Sequence, residues 1–410
     1  MRTAAARGAT RTTERSIAPD LARGFALLFI AIANTPFYLW GSESDSVVSA
    51  HPSGGSALDQ VVDALTIVMV DGRTYPLFAF LFGYGIVQMH RRQMSAGADE
   101  KAARGILQRR NLWLLAFGFV HALLLWMGDV LGAYGLAGLL LVWLFLRRKD
   151  RTLLTWAWIL WGLLAVGSLF AVIGGLAMAM IPIDPDMFAG PSMHATQGES
   201  NYLLSMLERG GFWFLLTIGQ GVVGLVVPIM ILVAFWAARR GILENPLEHV
   251  TLLRTVAIVG IGVGWLGGVP SMLTHVGVID LPIHASWAFA GLSAATGAFA
   301  GVGYAALFGL IGGAIERRRR GREAPRRLGF TGAVVAVGKR SLSSYLMQSV
   351  ICAPVLAAWG LGLGGVMNST EMVLFAIAVW AVTLLLSAIW EAKGWRGPAE
   401  ILLRRLVYRR

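Results

Sequence analysis

The feature that most constrains this chain is a series of apolar stretches, each long enough to cross a bilayer, which takes roughly 20 residues at 1.5 Å rise. Ten can be read, at roughly 21–40, 58–90, 111–127, 130–147, 152–181, 212–238, 251–270, 285–315, 334–360 and 370–391. Hydrocarbon offers no water to backbone groups, so blocks of this length must satisfy their hydrogen bonds internally, as helices do. The expected fold is all-α: a polytopic integral membrane bundle of about ten transmembrane helices. Composition agrees, with 56% hydrophobic and 14% charged residues against about 45–50% and 25% in soluble domains. A soluble enzyme, a nuclear factor and a secreted disulfide scaffold are excluded. The single cysteine, Cys352, permits neither an internal disulfide nor a thiolate metal cluster.

The second stretch is too long for one straight span. Asp71, Gly72, Arg73 and Pro76 interrupt it, which predicts a short interfacial helix at 58–70 and a span from about 74.

The formal charge of +12 would suggest nucleic acid in a soluble chain. Here it reports topology. With a cytoplasmic N-terminus, ten spans place all but two of the 35 Lys and Arg residues on the cytoplasmic side, leaving Arg73 and Arg209 outside. This is the positive-inside bias of a multi-pass plasma (inner) membrane protein with both termini cytoplasmic. The domain reading is a cytoplasmic arm (1–20), a helix bundle (21–391) and a basic cytoplasmic tail (392–410). The run Arg317 to Arg320 reads either as a site for anionic lipid headgroups or as a topology anchor. Ala31-Ile32-Ala33 fits a signal-cleavage pattern, but the apolar run continues through Trp40 and the arm reads as ordinary. The longest outer stretch, about 182–211, is too short for an independent core, so chemistry must lie within the bundle or at its faces. Membrane lipids are expected partners and nucleic acid is not; a homo-oligomer is left open.

Several motif matches fail their context. Gly262-Val263-Gly264-Trp265-Leu266-Gly267 fits GxGxxG but lies in an apolar span with no preceding strand; Gly260, Gly264 and Gly268 read better as a helix-packing face. Gly338-Lys339 lacks the upstream glycine and the Ser/Thr of a phosphate loop. The histidines are scattered, so no metal site is expected.

Polar groups at membrane depth are costly and mark candidate sites. In the first span Asp20 and Arg23 can pair at i,i+3, and Asn34 shares the Arg23 face about 16 Å further along. Arg73 reads as a contact for an acceptor or for Asp71. Gly83 and Gly85 offer bare backbone for packing or for a ligand. His121 sits in an apolar helix and is the best general-base candidate, since imidazole titrates near neutrality. Asp129 falls about 12 Å beyond it on a straight helix, too far for a direct bond unless the chain bends at Gly128; it also suits helix N-capping. Ser341, Tyr345, Gln348 and Cys352 share one face, fitting a hydrated pocket or interhelical hydrogen bonds. His275, Asp280 and His284 read as outer-loop residues.

These residues also carry a resemblance. Asp20-Leu21-Ala22-Arg23-Gly24-Phe25 with Asn34, Leu77 to Gly85, Arg109-Arg110 through His121 to Gly128-Asp129, Leu342 to Gln348, and Gly394-Trp395-Arg396-Gly397-Pro398-Ala399-Glu400 together resemble the YeiB-like bacterial inner-membrane proteins, long catalogued as a domain of unknown function. That family is distantly similar to transmembrane acyltransferases of the heparan-alpha-glucosaminide N-acetyltransferase type. The resemblance implies a cytoplasmic acyl-CoA donor and an acceptor on the far side, and carries over Asn34. The acetyltransferase type has its active histidine eleven residues beyond that Asn, where this chain has Asp45, with His51 nearby; His121 belongs to the YeiB-like signature instead.

The leading expectation is a membrane acyltransferase acting on a cell-envelope glycan or lipid. His121, Asn34 and Asp129 would be catalytic, with His51 or Asp45 as alternative bases. Arg23, Arg110, Gly83 and Gly85 would receive acyl-CoA. Arg73, Tyr345, Gln348, Asp45 and His51 would line the acceptor pocket. No bound cofactor or metal is expected. The alternatives are a secondary transporter or exporter of a small solute, and a lipid-binding subunit without turnover.

Overall fold

The computed structural model describes residues 16–183, 194–320 and 329–408. Most of the N-terminal arm, part of the basic 316–340 loop and the last two residues of the tail lie outside the described residues. Among the described residues there is no strand.

The helices follow the apolar stretches. They are α1 (Ile17–Asn34), α2 (Ala57–Met69), α3 (Thr74–Ser95), α4 (Glu100–Leu124), α5 (Leu131–Phe145), α6 (Asp150–Ala179), the short α7 (Ala195–Gly198), α8 (Tyr202–Ile218), α9 (Val226–Arg239), α10 (Val250–His275), α11 (Ala290–Arg320), α12 (Gly329–Lys339), α13 (Ser341–Leu356), α14 (Ser369–Ala392) and α15 (Pro398–Tyr408). Capping residues start several of them. Ser56 and Asp59 form a capping box on α2, Asn368 and Glu371 one on α14, and the Asp99 carboxylate receives the Ala102 amide on α4.

The all-helical membrane bundle is as expected, but the span count is not met by unbroken helices. Among the described residues six segments are long and apolar enough to cross a membrane, or seven if the bent pair α8/α9 is one span. Helices α5, α12 and α13 are apolar but shorter. On α6, Phe170 is 69% exposed and Leu163 60%, a face that water would penalise and lipid would not.

Three breaks shape the bundle. The expected interruption between α2 and α3 falls at residues 70–73, where Gly72 takes a left-handed φ of 69° that a residue with a Cβ adopts at a cost. The sixth stretch is not one helix. A π-turn at Gly219–Val223 and a left-handed Leu225 bend α8 from α9 by 49°. The ninth stretch reverses direction. Val334 packs on Gly24 and Gly338 on Asp20, so α12 runs antiparallel to α1. Gln348 then bonds the Leu27 carbonyl and Trp40 the Leu356 carbonyl, so α13 runs parallel to it. The pivot is Arg340, held with Lys339 by Glu391 at the end of α14 (2.8 and 2.6 Å).

These contacts give the bundle a basic end, near Asp20, Arg110, Arg239 and Arg340, and an opposite end near Asn34, Leu124, His275 and Leu356. Helix α15 lies at the basic end, where Glu400 receives the Leu342 and Ser343 amides and Tyr408 receives Gln93.

Candidate functional site

The site is built at the end of α4. The Leu125 and Trp126 amides both donate to the His121 carbonyl, closing the helix, and the chain from Leu125 to Val130 folds back. Asp129 therefore returns to the level of His121, and its Oδ1 lies 2.8 Å from His121 Nδ1. The separation expected from a straight helix is corrected here: the turn removes it. Both side chains are essentially sealed, at 1% and 0% exposure.

Asp129 Oδ2 accepts the Gly132 amide (2.8 Å) and the Trp213 indole N–H (3.3 Å). It thus caps α5 while orienting His121. In the tautomer that directs Nδ1–H at the carboxylate, the imidazole lone pair is on Nε2. That atom is buried and has no hydrogen-bond partner among the described residues. Tyr345 lies beside it, with ring centroids 5.1 Å apart, and its phenol oxygen accepts the Val130 amide. A carboxylate, an imidazole held by one nitrogen and a free second nitrogen form the arrangement of an oriented general base.

Three contributors were not singled out from the sequence. Gly118 is one: a Cβ there would meet Asp129 Oδ2 at 2.3 Å and the Gly132 nitrogen at 2.4 Å. Trp213, on α8, and Trp126, stacked on Tyr38 at 4.5 Å, are the others. Nothing in the local pattern marks them: the Gly118 contact appears only once the chain folds back after α4, and Trp213 comes from α8, distant in sequence.

The remaining candidates separate. The Asn34 side chain is half-buried at the end of α1 and makes no hydrogen bond among the described residues. Gln348 donates to the Leu27 carbonyl at 3.1 Å, an interhelical bond, so the shared face of α13 divides: Tyr345 serves the His121 site and Gln348 serves packing.

At the basic end Arg23 bonds Asp20 (3.0 Å) and the Leu81 carbonyl (3.2 Å), the expected i,i+3 pair. A Cβ on Gly85 would stand 3.2 Å from the Arg23 guanidinium, so this glycine makes room for it. Gly83 instead abuts Ile231 and Ala234 of α9, which makes it a packing position and closes it to a ligand. The Arg110 guanidinium lies 5.1 Å from the Phe82 ring centroid, and its Nη1 is buried without a partner among the described residues. A cavity of about 240 Å³ opens here between Ser16, Asp20, Arg23, Gln88, Arg91, Arg92 and Glu244.

At the opposite end the outer candidates form a closed network. His51 is buried, with Nδ1 2.8 Å from Asp63 and Nε2 2.7 Å from Asp71. Burial opposes its charge, but the two carboxylates prevail and raise its pKa to about 9. Both nitrogens are engaged, so His51 offers no lone pair to an acceptor, which corrects its candidacy as a base. Asp45 is exposed in the preceding loop. Arg73 is fully buried. It bonds the Asp71 carbonyl, Ser293 (2.7 Å) and the Gly264 carbonyl (2.7 Å); the expected acidic partner, the Asp71 carboxylate, goes to His51 instead. Arg73 thus ties the α2–α3 break to α10 and α11 and is sealed from an acceptor. His275 joins this network 3.6 Å from Asp63. Gly260 and Gly264 pack on α11, as a small-residue face should.

Residues 237–410 match the family described as "Protein of unknown function (DUF418)". Along 97% of its length the chain is 26% identical to "Uncharacterized protein YxaH" of Bacillus subtilis (strain 168), covering 96% of that protein. It is 25% identical to "Uncharacterized protein YeiB" of Escherichia coli (strain K12), covering 97% of each chain. The chain is thus similar to both proteins along nearly its whole length. A 39.9 kDa Bacillus acidopullulyticus protein, described as uncharacterized and in the amylase 3' region, is 32% identical over 136 residues, 33% of this chain and 36% of that protein. The family match covers α10 to α15 and thus Tyr345, whereas His121 and Asp129 lie before it. The site therefore joins the matched part to the N-terminal part, through the Val130 to Tyr345 bond.

Proposed function

We propose that this YeiB-like protein is a plasma-membrane acyltransferase that moves an acyl group from cytoplasmic acyl-CoA to a hydroxyl or amine on a cell-envelope glycan or lipid. The observation that carries this reading is the buried His121–Asp129 pair with its free Nε2. Burying an imidazole and a carboxylate in a membrane helix is expensive unless they are paired, and leaving Nε2 unsatisfied adds to that cost. A substrate proton would satisfy it.

The basic end supports a donor site. Arg110 Nη1 is unsatisfied, and Arg23, Arg91 and Arg92 line the adjoining cavity, a surface suited to the phosphates of CoA. Arg110 and His121 are eleven residues apart on α4, about 16 Å, so an extended arm is needed to bring a thioester from one to the other. His121 Nε2 would take the acceptor proton as the acceptor oxygen or nitrogen attacks the thioester carbonyl. Collapse of the tetrahedral intermediate would break the C–S bond, and His121 would return the proton to the departing thiolate.

The test is acetyl-CoA binding and slow hydrolysis by the purified protein, read as released thiol, with His121→Ala as the comparison. Absence of binding at millimolar donor, with no acyl modification lost from cells on gene deletion, would overturn the reading. A transporter is favoured by one observation, the broken helices at Leu225 and Arg340, since discontinuous helices line many transport sites. Substrate-dependent proton or sodium flux in liposomes would decide for it.

A further inference from the structure

Arg209 of α8 is fully buried near the outer ends of α4 and α13. Its guanidinium donates to the Leu123 carbonyl (3.2 Å through Nη2) and to the Ser205 hydroxyl. It lies 5.4 Å from the ring centroid of Tyr202 and 5.7 Å from that of Trp359. Among the described residues no carboxylate stands within ion-pair distance of it; Glu208, the preceding residue of α8, acts on it only at longer range. Carbonyls and ring faces offset only part of a buried charge, which ordinarily has a formal counter-ion. Capping of the α4 C-terminus accounts for the Leu123 contact, but not for the polar groups left unsatisfied around it.

Those groups are specific. Among the described residues the Trp126 indole N–H (residue 1% exposed) and both amide atoms of Gln197 (0% exposed) have no hydrogen-bond partner, and neither has the Trp359 indole N–H. The same Ser205 hydroxyl that receives Arg209 donates to the carbonyl of Thr196, next to Gln197. The Gln197 carbonyl in turn accepts the amide of Ala358, next to Trp359. Tyr38, stacked on Trp126, lies within electrostatic reach of both Arg209 and Tyr345, and Tyr345 adjoins His121. Ring contacts and electrostatic reach thus link Arg209 stepwise, through Tyr38 and Tyr345, to the His121 ring.

We propose that the outer ends of α4, α7, α8 and α13 form the acceptor subsite, and that it takes an anionic, hydroxyl-bearing group. Arg209 is the countercharge, and Trp126, Gln197 and Trp359 supply ring faces and hydrogen bonds. This rests on the acyltransferase reading and names its acceptor class. Ring faces and indole N–H groups suit a polyol, and a guanidinium suits phosphate or carboxylate. A phosphorylated sugar and an anionic phospholipid headgroup both carry this chemistry.

The full chain in phosphatidylcholine nanodiscs is titrated with glucose 1-phosphate, with glucose, and with phosphatidylglycerol added to the disc, following tryptophan fluorescence. The expected result is a saturable change with glucose 1-phosphate or with phosphatidylglycerol, and none with glucose; the arm that responds identifies a soluble or a lipid source. Arg209→Gln weakens that response about tenfold or more, and Arg209→Lys falls between it and wild type. No response to either anion, an equal response to glucose, or wild-type binding in a folded Arg209 variant overturns the proposal. Arg209→Lys keeps the charge and carries the test if Arg209→Gln does not fold. Donor hydrolysis is measured in the same wild-type sample. Hydrolysis without anion binding defeats this subsite alone, and anion binding without hydrolysis defeats the acyltransferase reading alone.

Discussion

His121 Nδ1 and Asp129 Oδ1 stand 2.8 Å apart although eight residues separate them. The contact exists because α4 stops at Leu124 and the turn that follows returns Asp129 alongside the helix. The carboxylate also accepts the Gly132 amide, so one side chain orients the imidazole and starts α5. Asp129→Asn can keep the cap but not the charge that holds Nδ1–H. We expect it to lower acyl transfer by about a hundredfold or more with little change in melting temperature. Asp129→Ala should lose both activity and about 1–3 kcal/mol of stability. Thiol release and thermal melting of the two variants check this.

Gly118 provides a steric test of the same site. A methyl group there would strike Asp129 and the Gly132 amide, so Gly118→Ala should cost about 1–3 kcal/mol and abolish transfer. A Cβ at Gly162, within α6, meets nothing, and Gly162→Ala should be neutral or stabilise by up to about 1 kcal/mol. Parallel melting curves separate the two outcomes.

Arg110 tests the donor end. Its Nη1 is unsatisfied, so Arg110→Ala should leave the fold intact and raise the dissociation constant for acetyl-CoA about tenfold to a hundredfold. The loss should shrink at high salt, because added ions screen the attraction that the wild-type arginine supplies. Equilibrium binding at two ionic strengths measures it.

The His51 network predicts a pH dependence of stability. Its pKa is raised from 6.5 to about 9 in the folded protein by Asp71 and Asp63, against the effect of burial. A raised value means that the protonated form stabilises the fold. That contribution is complete below about pH 6.5 and is lost as pH rises through about 9. Melting temperature should therefore fall between pH 7 and pH 10. His51→Gln should start lower and show a flatter profile.

Much of the architecture was legible because it rests on composition along the chain. Helix α6 must face lipid, since its apolar residues have no polar face to set against water. The α2–α3 break was marked by Asp71, Gly72 and Pro76. The Asp20–Arg23 pair followed from i,i+3 geometry. The reversal at Arg340 was not legible, because Val334 to Leu356 is apolar on both sides of the pivot and only the contacts with Gly24, Asp20 and Leu27 distinguish a hairpin from a straight span. The bend at Leu225 was hidden for the same reason.

The sequence by itself determined an all-helical membrane bundle with its basic residues at one end, because hydrophobic length and charge placement act locally. It also nominated His121, Asp129 and Tyr345. Only the tertiary structure decided which of these meet. A turn of a few residues cancelled the helical rise between His121 and Asp129, and α13 brought Tyr345 to them. Meanwhile Asp63 and Asp71 took both nitrogens of His51, and Arg73 was sealed among backbone carbonyls. Such outcomes depend on which helix faces pack together, and no spacing along a single helix encodes that.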